Sequence, residues 1–473
     1  MSDASHLEIA AFPKNMGIET LSQGVKWVKH DTVDGKTIHF PIPKYVEYHD
    51  KWMANFDLIQ STIDMICGQV ESGSRKNQHG QPLPQDNLLV KIGLEKYAVT
   101  NRYLNVISDF IIRSCLEKKI PILHIAPWPK NKNYAVVLTH DVDRIGRKNL
   151  HFIFINLAKK LASIFRKRAA HSFKRIGQIV ASERSLSQDF EEIMKAEEKH
   201  GFLSVFYFLG GPLLHRYGPR HLLASKKISS IIKKIISRGW SVGLHGSYVT
   251  SLKGKKQFIQ EKNILEKIAG IPIQGNRQHY LRMNYPEDFE SLSHCGIVVD
   301  TSIGFQIGYG FRWGVGLPFF PLDKENNPLS ILEIPTILMD SAVWGDTITQ
   351  KDVDTIHDLF TEMQQTSGCG ALLFHQTRAN EIEFPGQFDL YKEVLRILAR
   401  DNAFVGSDFE IASWVKRIWN ICAKLNAAQN SITADIGSLQ KKNIPHGRII
   451  KNMDGQVFIQ SVELKSGLNI FSI

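Results

Sequence analysis

The sequence predicts an α/β chain whose central part folds as a parallel sheet or barrel. Three observations carry this. From about Tyr134 onward, short apolar runs alternate with amphipathic stretches of helical period. Several of those runs end on histidine or aspartate, and the regions before about residue 126 and after about residue 423 lack the alternation.

The elements follow in order. Residues 134–138 (YAVVL) have the unbroken apolar character of a strand covered on both faces. Further strands are expected at 203–208, 241–244, 296–299, 332–338 and 371–374. Between them, apolar spacing predicts helices at 189–200, 228–237, 258–269, 285–294, 353–365 and 388–400, with Ser187 placed to cap the first. In such a fold, functional side chains gather where the strands end.

The flanks read differently. A chain of 473 residues exceeds what one hydrophobic core normally serves. The expected organisation is an N-terminal α/β accessory domain (1–126), the central βα unit (127–423) and a small β-rich appendage (424–473). The first combines a strand-like run at 37–42 with helical runs at 54–69 and 103–116, separated by a polar Gly/Ser/Pro loop at 71–84. Pro127-Trp128-Pro129 breaks any helix and opens the central unit. The last has alternating runs at 456–462 and 468–473 with Asp-Gly and Ser-Gly turn signals.

Five scattered cysteines with no C-x-x-C pair argue against a disulfide framework or cysteine zinc knuckle, and for a reducing compartment. MSDASHLEIAAFPKN lacks the features of a secretory signal, and no apolar stretch reaches the ~20 residues of a membrane span. The expectation is a cytoplasmic protein. The formal charge of +11 is uneven: Arg147, Lys148, Lys159, Lys160, Arg166, Lys167, Arg168 and Lys174 fall in one segment without an acidic residue. Phe154, Leu157, Leu161, Ile164 and Phe165 sit near helical spacing among them. This basic insertion (about 145–185) fits an interfacial helix on the anionic inner membrane face, or a helix packed on the barrel with a solvated basic side. A nucleic-acid role is disfavoured, because the charge is local and no binding motif accompanies it.

Four polar segments carry the chemistry. Thr139-His140-Asp141-Val142-Asp143 ends the first apolar strand, and alternation points both aspartates to one side. Gly243-Leu244-His245-Gly246-Ser247-Tyr248 ends another; Leu372-Leu373-Phe374-His375 a third. Arg277-Gln278-His279-Tyr280-Leu281-Arg282 reads as a loop with two guanidiniums, a histidine and a tyrosine. Each alone has a bland reading as a cap, core histidine or solvated loop. Together they offer carboxylate and imidazole ligands for zinc or a similar divalent ion, plus acid and base partners. Gly308-Tyr309-Gly310-Phe311-Arg312-Trp313-Gly314 lacks the strand and helix of a nucleotide loop; its aromatics line a sugar-binding rim or pack a loop. P-loop, H-E-x-x-H and G-x-S-x-G motifs are absent.

The order THDVD, GLHGSY, GNRQHYLR, DTSIGF and LLFH resembles the ordered motifs of the polysaccharide deacetylase superfamily (carbohydrate esterase family 4-like). The closest resemblance is to the branch from bacterial surface-polysaccharide loci, which carries an extra N-terminal domain; GFRWGVGLPFFPLD and LEIP share it. The resemblance implies a distorted (β/α) barrel and a metal-dependent hydrolase acting on C–N bonds, removing N-acetyl or O-acetyl groups from a bacterial polysaccharide or lipid-linked sugar precursor. It implies Asp141 as general base, Arg277 as the arginine orienting it and His375 as the acid protonating the leaving amine. Asp143 and His245 become metal ligands. The family's second metal histidine lies four residues after the first, where this chain has Val249. We assign His279 to the vacant role, with His140 or a water as the alternatives. Tyr248, Tyr280, Arg282, Asp300, Arg312 and Trp313 are the expected substrate contacts. Two other functions stay open: a degenerate glycan-binding protein on the same barrel, and an amidohydrolase for a small C–N substrate.

Overall fold

The structure, a computed structural model, describes residues 18–48, 56–145, 187–219, 221, 223–343, 348–426, 431–436, 443–453 and 455–472. The basic insertion lies outside these residues. The central unit is a curled parallel sheet of strands β4 (Ala135–Val142), β5 (Val205–Leu209), β6 (Ser241–Gly246), β7 (Gly275–Gln278), β8 (Val299–Asp300), β9 (Leu332–Glu333), β10 (Thr336–Met339) and β11 (Cys369–Leu373). A ninth strand, β12 (Phe404–Gly406), pairs with the start of β4. Helices Gln188–Glu198, Lys226–Ser237, Lys255–Ala269, Glu287–His294, Gln350–Thr366 and Gln387–Arg400 alternate with the strands. β4 and β5 are buried along their full lengths, as their uninterrupted apolar character requires.

The distortion has a local cause. The single strand expected at 332–338 splits at Pro335, which has no N–H for a ladder bond. Before the break β9 pairs with β8; after it β10 pairs with β11. One broken strand thus carries the sheet round from β8 to β11. A second departure is β7. Arg277 and Gln278 read as the start of a polar loop, yet with Gly275 and Asn276 they form a fully buried strand between β6 and β8. Gly275 belongs there because a Cβ would stand 1.9 Å from Asp408 Oδ2.

Before the barrel, β1 (Val25–Asp31) and β2 (Thr37–Pro43) form an antiparallel hairpin beside helices Leu58–Ile66 and Val99–Glu117. Asp57 caps the first helix by accepting from the Gln60 N–H at 2.8 Å. These elements share one hydrophobic core with the barrel: Met65, Leu89 and Tyr103 are buried in the same cluster as Phe311, Trp313 and Met363. Buried polar ties join them too. Arg102 pairs with Glu362, and Asn101 Nδ2 donates to the Gly316 carbonyl at 2.8 Å.

After the barrel, β13 (Cys422–Asn426), β14 (Ser431–Asp435) and β17 (Leu468–Ser472) make one sheet. β15 (His446–Met453) lies between β16 (Gln456–Glu463) and β3 (Ile122–Ile125), so this β-rich part includes a strand from before the barrel. Among the described residues, no helix is long and apolar enough to cross a membrane.

Candidate active site

The C-terminal ends of β4, β6, β7 and β10, with the second residue after β11, converge on one cluster. Asp141 and Asp143 leave β4 on the same side, as alternation dictates, while His140, the residue before Asp141, turns to the other. His245 from β6 donates its Nδ1–H to the Arg277 carbonyl at 2.8 Å, which frees Nε2 for the cluster. His279 follows β7 directly, and its Nδ1 lies 3.1 Å from His245 Nε2.

Three donors result: Asp143 Oδ1, His245 Nε2 and His279 Nδ1. Asp143 Oδ1 lies 3.3 Å from the first nitrogen and 3.5 Å from the second. Tetrahedral coordination at the metal–nitrogen distances of zinc sets ligands roughly 3.4 Å apart, so these spacings fit a divalent ion. Asp143 is partly exposed, but its Oδ1 is buried and has no hydrogen-bond partner. Burial would raise the Asp143 pKa; instead His279, His245 and His375 hold it well below the usual carboxylate range. Burial, reinforced by His245 and His375 and opposed by Asp143, pushes His279 down to about 3, which leaves it neutral as a ligand must be. His245 moves the other way. Burial disfavours its charge, but Asp141 and Asp143 outweigh it.

Asp141 is buried at the edge of this triangle, with Oδ2 at 3.5 Å from His245 Nε2. Its Oδ1 has no hydrogen-bond partner and faces Arg277 Nη1 at 3.7 Å. Arg277 is wholly buried. Its Nε donates to Thr301 Oγ1 at 3.1 Å and its guanidinium lies 5.4 Å from the Tyr207 ring centroid, while the Tyr207 hydroxyl donates to Asp408 at 2.7 Å. Gly243 leaves room for that ring, since a Cβ would meet it at 2.4 Å.

His375 completes the mouth, with Nε2 3.8 Å from Asp143 Oδ2. Behind it stands Asp340, which follows β10 and was not singled out in the sequence. Its two oxygens accept from His375 Nδ1 at 2.7 Å and from the His375 backbone N–H at 2.6 Å. Burial disfavours the imidazolium, but Asp340 outweighs it and carries His375 up to about 9. A strand-end aspartate is a readable signal: the strand expected at 332–338 ends two residues before Asp340, and β10 itself ends at Met339. His221 was also missed. It is buried, both ring nitrogens lack partners, and burial takes it down to about 4 beside Asp143 and His245.

The remaining expected residues divide. Tyr248, Tyr280 and Arg282 stand together beside the cluster: the Arg282 guanidinium lies 4.9 Å from the Tyr248 ring, and the Tyr280 and His279 rings are 4.4 Å apart. Asp300, Arg312 and Trp313, the other expected substrate contacts, are buried and hydrogen-bonded to other partners. Asp300 is wholly buried and bonded to Asn276 and Ser302. Arg312 and Trp313 both bond Glu71, anchoring the elements before the barrel. Val249 is buried beside the short helix Thr250–Lys253. His140 is no ligand either: Nδ1 bonds the Phe374 carbonyl at 2.8 Å and Nε2 bonds Glu197 at 2.9 Å.

Solved structures of polysaccharide deacetylases are similar to parts of this chain. A candidate polysaccharide deacetylase from Mycobacterium smegmatis aligns at TM-score 0.42 and 17% identity, covering 64% of this chain and 97% of its own. The peptidoglycan deacetylase PdaC from Bacillus subtilis aligns at 0.30 and 12%, covering 61% and 95%. A family 4 carbohydrate esterase pseudoenzyme from Bacillus anthracis aligns at 0.30 and 12%, covering 60% and 66%. No family model and no curated protein matches the chain.

Proposed function

We propose that the chain is a metal-dependent hydrolase that removes acetyl groups, N-linked before O-linked, from a bacterial polysaccharide or lipid-linked sugar precursor. The observation that carries this reading is the donor triangle of Asp143, His245 and His279, set between a buried carboxylate whose Oδ1 has no hydrogen-bond partner and a histidine whose pKa is raised by Asp340. The motif order given above supplies the substrate class.

Asp143, His245 and His279 would hold the ion, with zinc the best match to two imidazoles and one carboxylate. Bound there, a divalent cation supplies Lewis-acid polarisation of an acyl carbonyl. The chain's own residues do the rest. Asp141 takes the proton of the attacking water, and Arg277 fixes the carboxylate's direction. His375, kept cationic by Asp340, gives its proton to the departing sugar nitrogen as the C–N bond breaks. An acid above neutral pKa beside a carboxylate base divides the two proton transfers between two groups.

The test is acetate release from N-acetylated oligosaccharides, with and without chelator. Release that disappears on chelation and returns with zinc agrees with the proposal. Release indifferent to chelation, or no release from any acetylated sugar by the metal-loaded protein, contradicts it.

A further inference from the structure

We infer that the loop before the barrel completes a second saccharide subsite, a cup of aromatic rings that receives the sugar next to the one deacetylated. This rests on the deacetylase reading for its position in the reaction, but not for its ability to bind. Four chain segments meet at the cup. His79 comes from the polar loop at 71–84, Tyr217 follows β5, Tyr248 follows β6 and Tyr280 follows β7. The His79 ring stacks on Tyr280 at 4.4 Å and meets Tyr217 edge-on at 5.1 Å; Tyr217 and Tyr248 are 4.6 Å apart. Tyr280 also touches the metal-facing His279, so the cup lies one ring away from the donor triangle.

The loop is built for this placement. Asn77 Oδ1 accepts from the His79 N–H at 2.8 Å and the Gln81 N–H at 3.1 Å, and Asn77 and Gln81 close the turn through their backbones. Gly80 takes the φ of +76° that the turn needs. Gln81 Nε2 then donates to the carbonyls of Tyr280 and Leu281, two non-glycine residues held at φ +62° and +49°. Arg282 returns the contact by donating Nε to the His79 carbonyl at 2.8 Å. The loop thus fixes the left-handed turn that aims Tyr280 and places its own ring against it.

Packing alone does not account for the cluster. Core aromatics such as Phe206 and Phe289 are wholly buried, whereas all four cup rings are partly exposed and Tyr280 is 36% exposed. Rings with an apolar face and a polar edge suit a pyranose, whose C–H face packs on the ring while its hydroxyls meet phenol and imidazole. The ligand class is an oligosaccharide of N-acetylated hexosamines, bound across at least two sugar units.

The test uses the full chain on an array of N-acetylated hexosamine mono- and oligosaccharides, beside acetate-release kinetics. His79→Ala keeps the backbone carbonyl that binds Arg282, and His79→Phe keeps a ring. Expected are tighter binding of oligosaccharides than monosaccharides, an approximately tenfold loss in His79→Ala and Tyr217→Ala, and recovery in His79→Phe. Retention of full affinity by both alanine variants, equal binding of mono- and oligosaccharides, or no binding on the array would overturn the cup. Ring-dependent binding without acetate release would sink the hydrolase reading and leave the cup. Acetate release with KM unchanged in both alanine variants would do the reverse.

Discussion

His140 and Asp141 are neighbours on one strand, yet they belong to two imidazole–carboxylate clusters of opposite character. On one side of β4, Glu197 accepts from His140, from Ser204 Oγ at 2.9 Å, from Trp240 Nε1 at 2.6 Å and from the Tyr391 hydroxyl at 2.5 Å. Every polar edge of that knot is used. On the other side, Asp141 Oδ1, Asp143 Oδ1 and both terminal nitrogens of Arg277 are buried without hydrogen-bond partners. Buried polar groups are normally satisfied because an unpaired one costs about 1–3 kcal/mol. The satisfied cluster is therefore structural. The unsatisfied one fits the metal- and substrate-binding role proposed for it.

The sharpest way to break this contrast is Asp141→Asn, which keeps the shape and removes the base. Acetate release should fall by roughly 10²–10⁴-fold with metal content unchanged. Near-normal turnover would remove Asp141 from the chemistry.

Glu197→Ala tests the other side of the strand. It leaves four buried donors unpaired and should lower unfolding stability by about 3–5 kcal/mol in denaturant titration, while the folded fraction still binds metal. A loss under about 1 kcal/mol would dissolve the distinction between the clusters.

Asp340→Asn sharpens the picture through pH. His375 acts in its protonated form, so activity should decline above about pH 9 in the wild type. Without Asp340 that alkaline limb should move down by about two units, toward the ordinary histidine value. Linkage carries the same sign. The raised pKa stabilises the fold fully below about pH 6.5, and that contribution disappears as pH rises through about 9. An unmoved limb would assign the acid elsewhere. The smallest effect expected is in Gln81→Ala: loosening the Tyr280 turn should raise KM roughly fivefold with kcat retained, about the worth of one hydrogen bond. A fall in kcat instead would tie Gln81 to the chemical step.

The same contrast explains what the sequence revealed. Strands with apolar cores and polar ends were legible, because burial on both faces leaves a continuous run; so β4, β5, β6 and β11 announced themselves with Asp141, His245 and His375 at their tips. β7 was not legible, since Asn276, Arg277 and Gln278 are buried by pairing with polar neighbours that no local pattern displays. Arg312 and Trp313 looked available because Glu71, their partner, lies about 240 residues away in sequence. His79 was hidden for the same reason: a polar loop becomes part of a site only through contacts about 200 residues distant.

The most direct test of the central claim is metal content, by elemental analysis, of the wild type beside His245→Ala and His279→Ala. About one equivalent of a divalent ion in the wild type, lost in both variants, is the predicted result. A full equivalent retained by His279→Ala, or no metal in the wild type even after zinc is added, would contradict it.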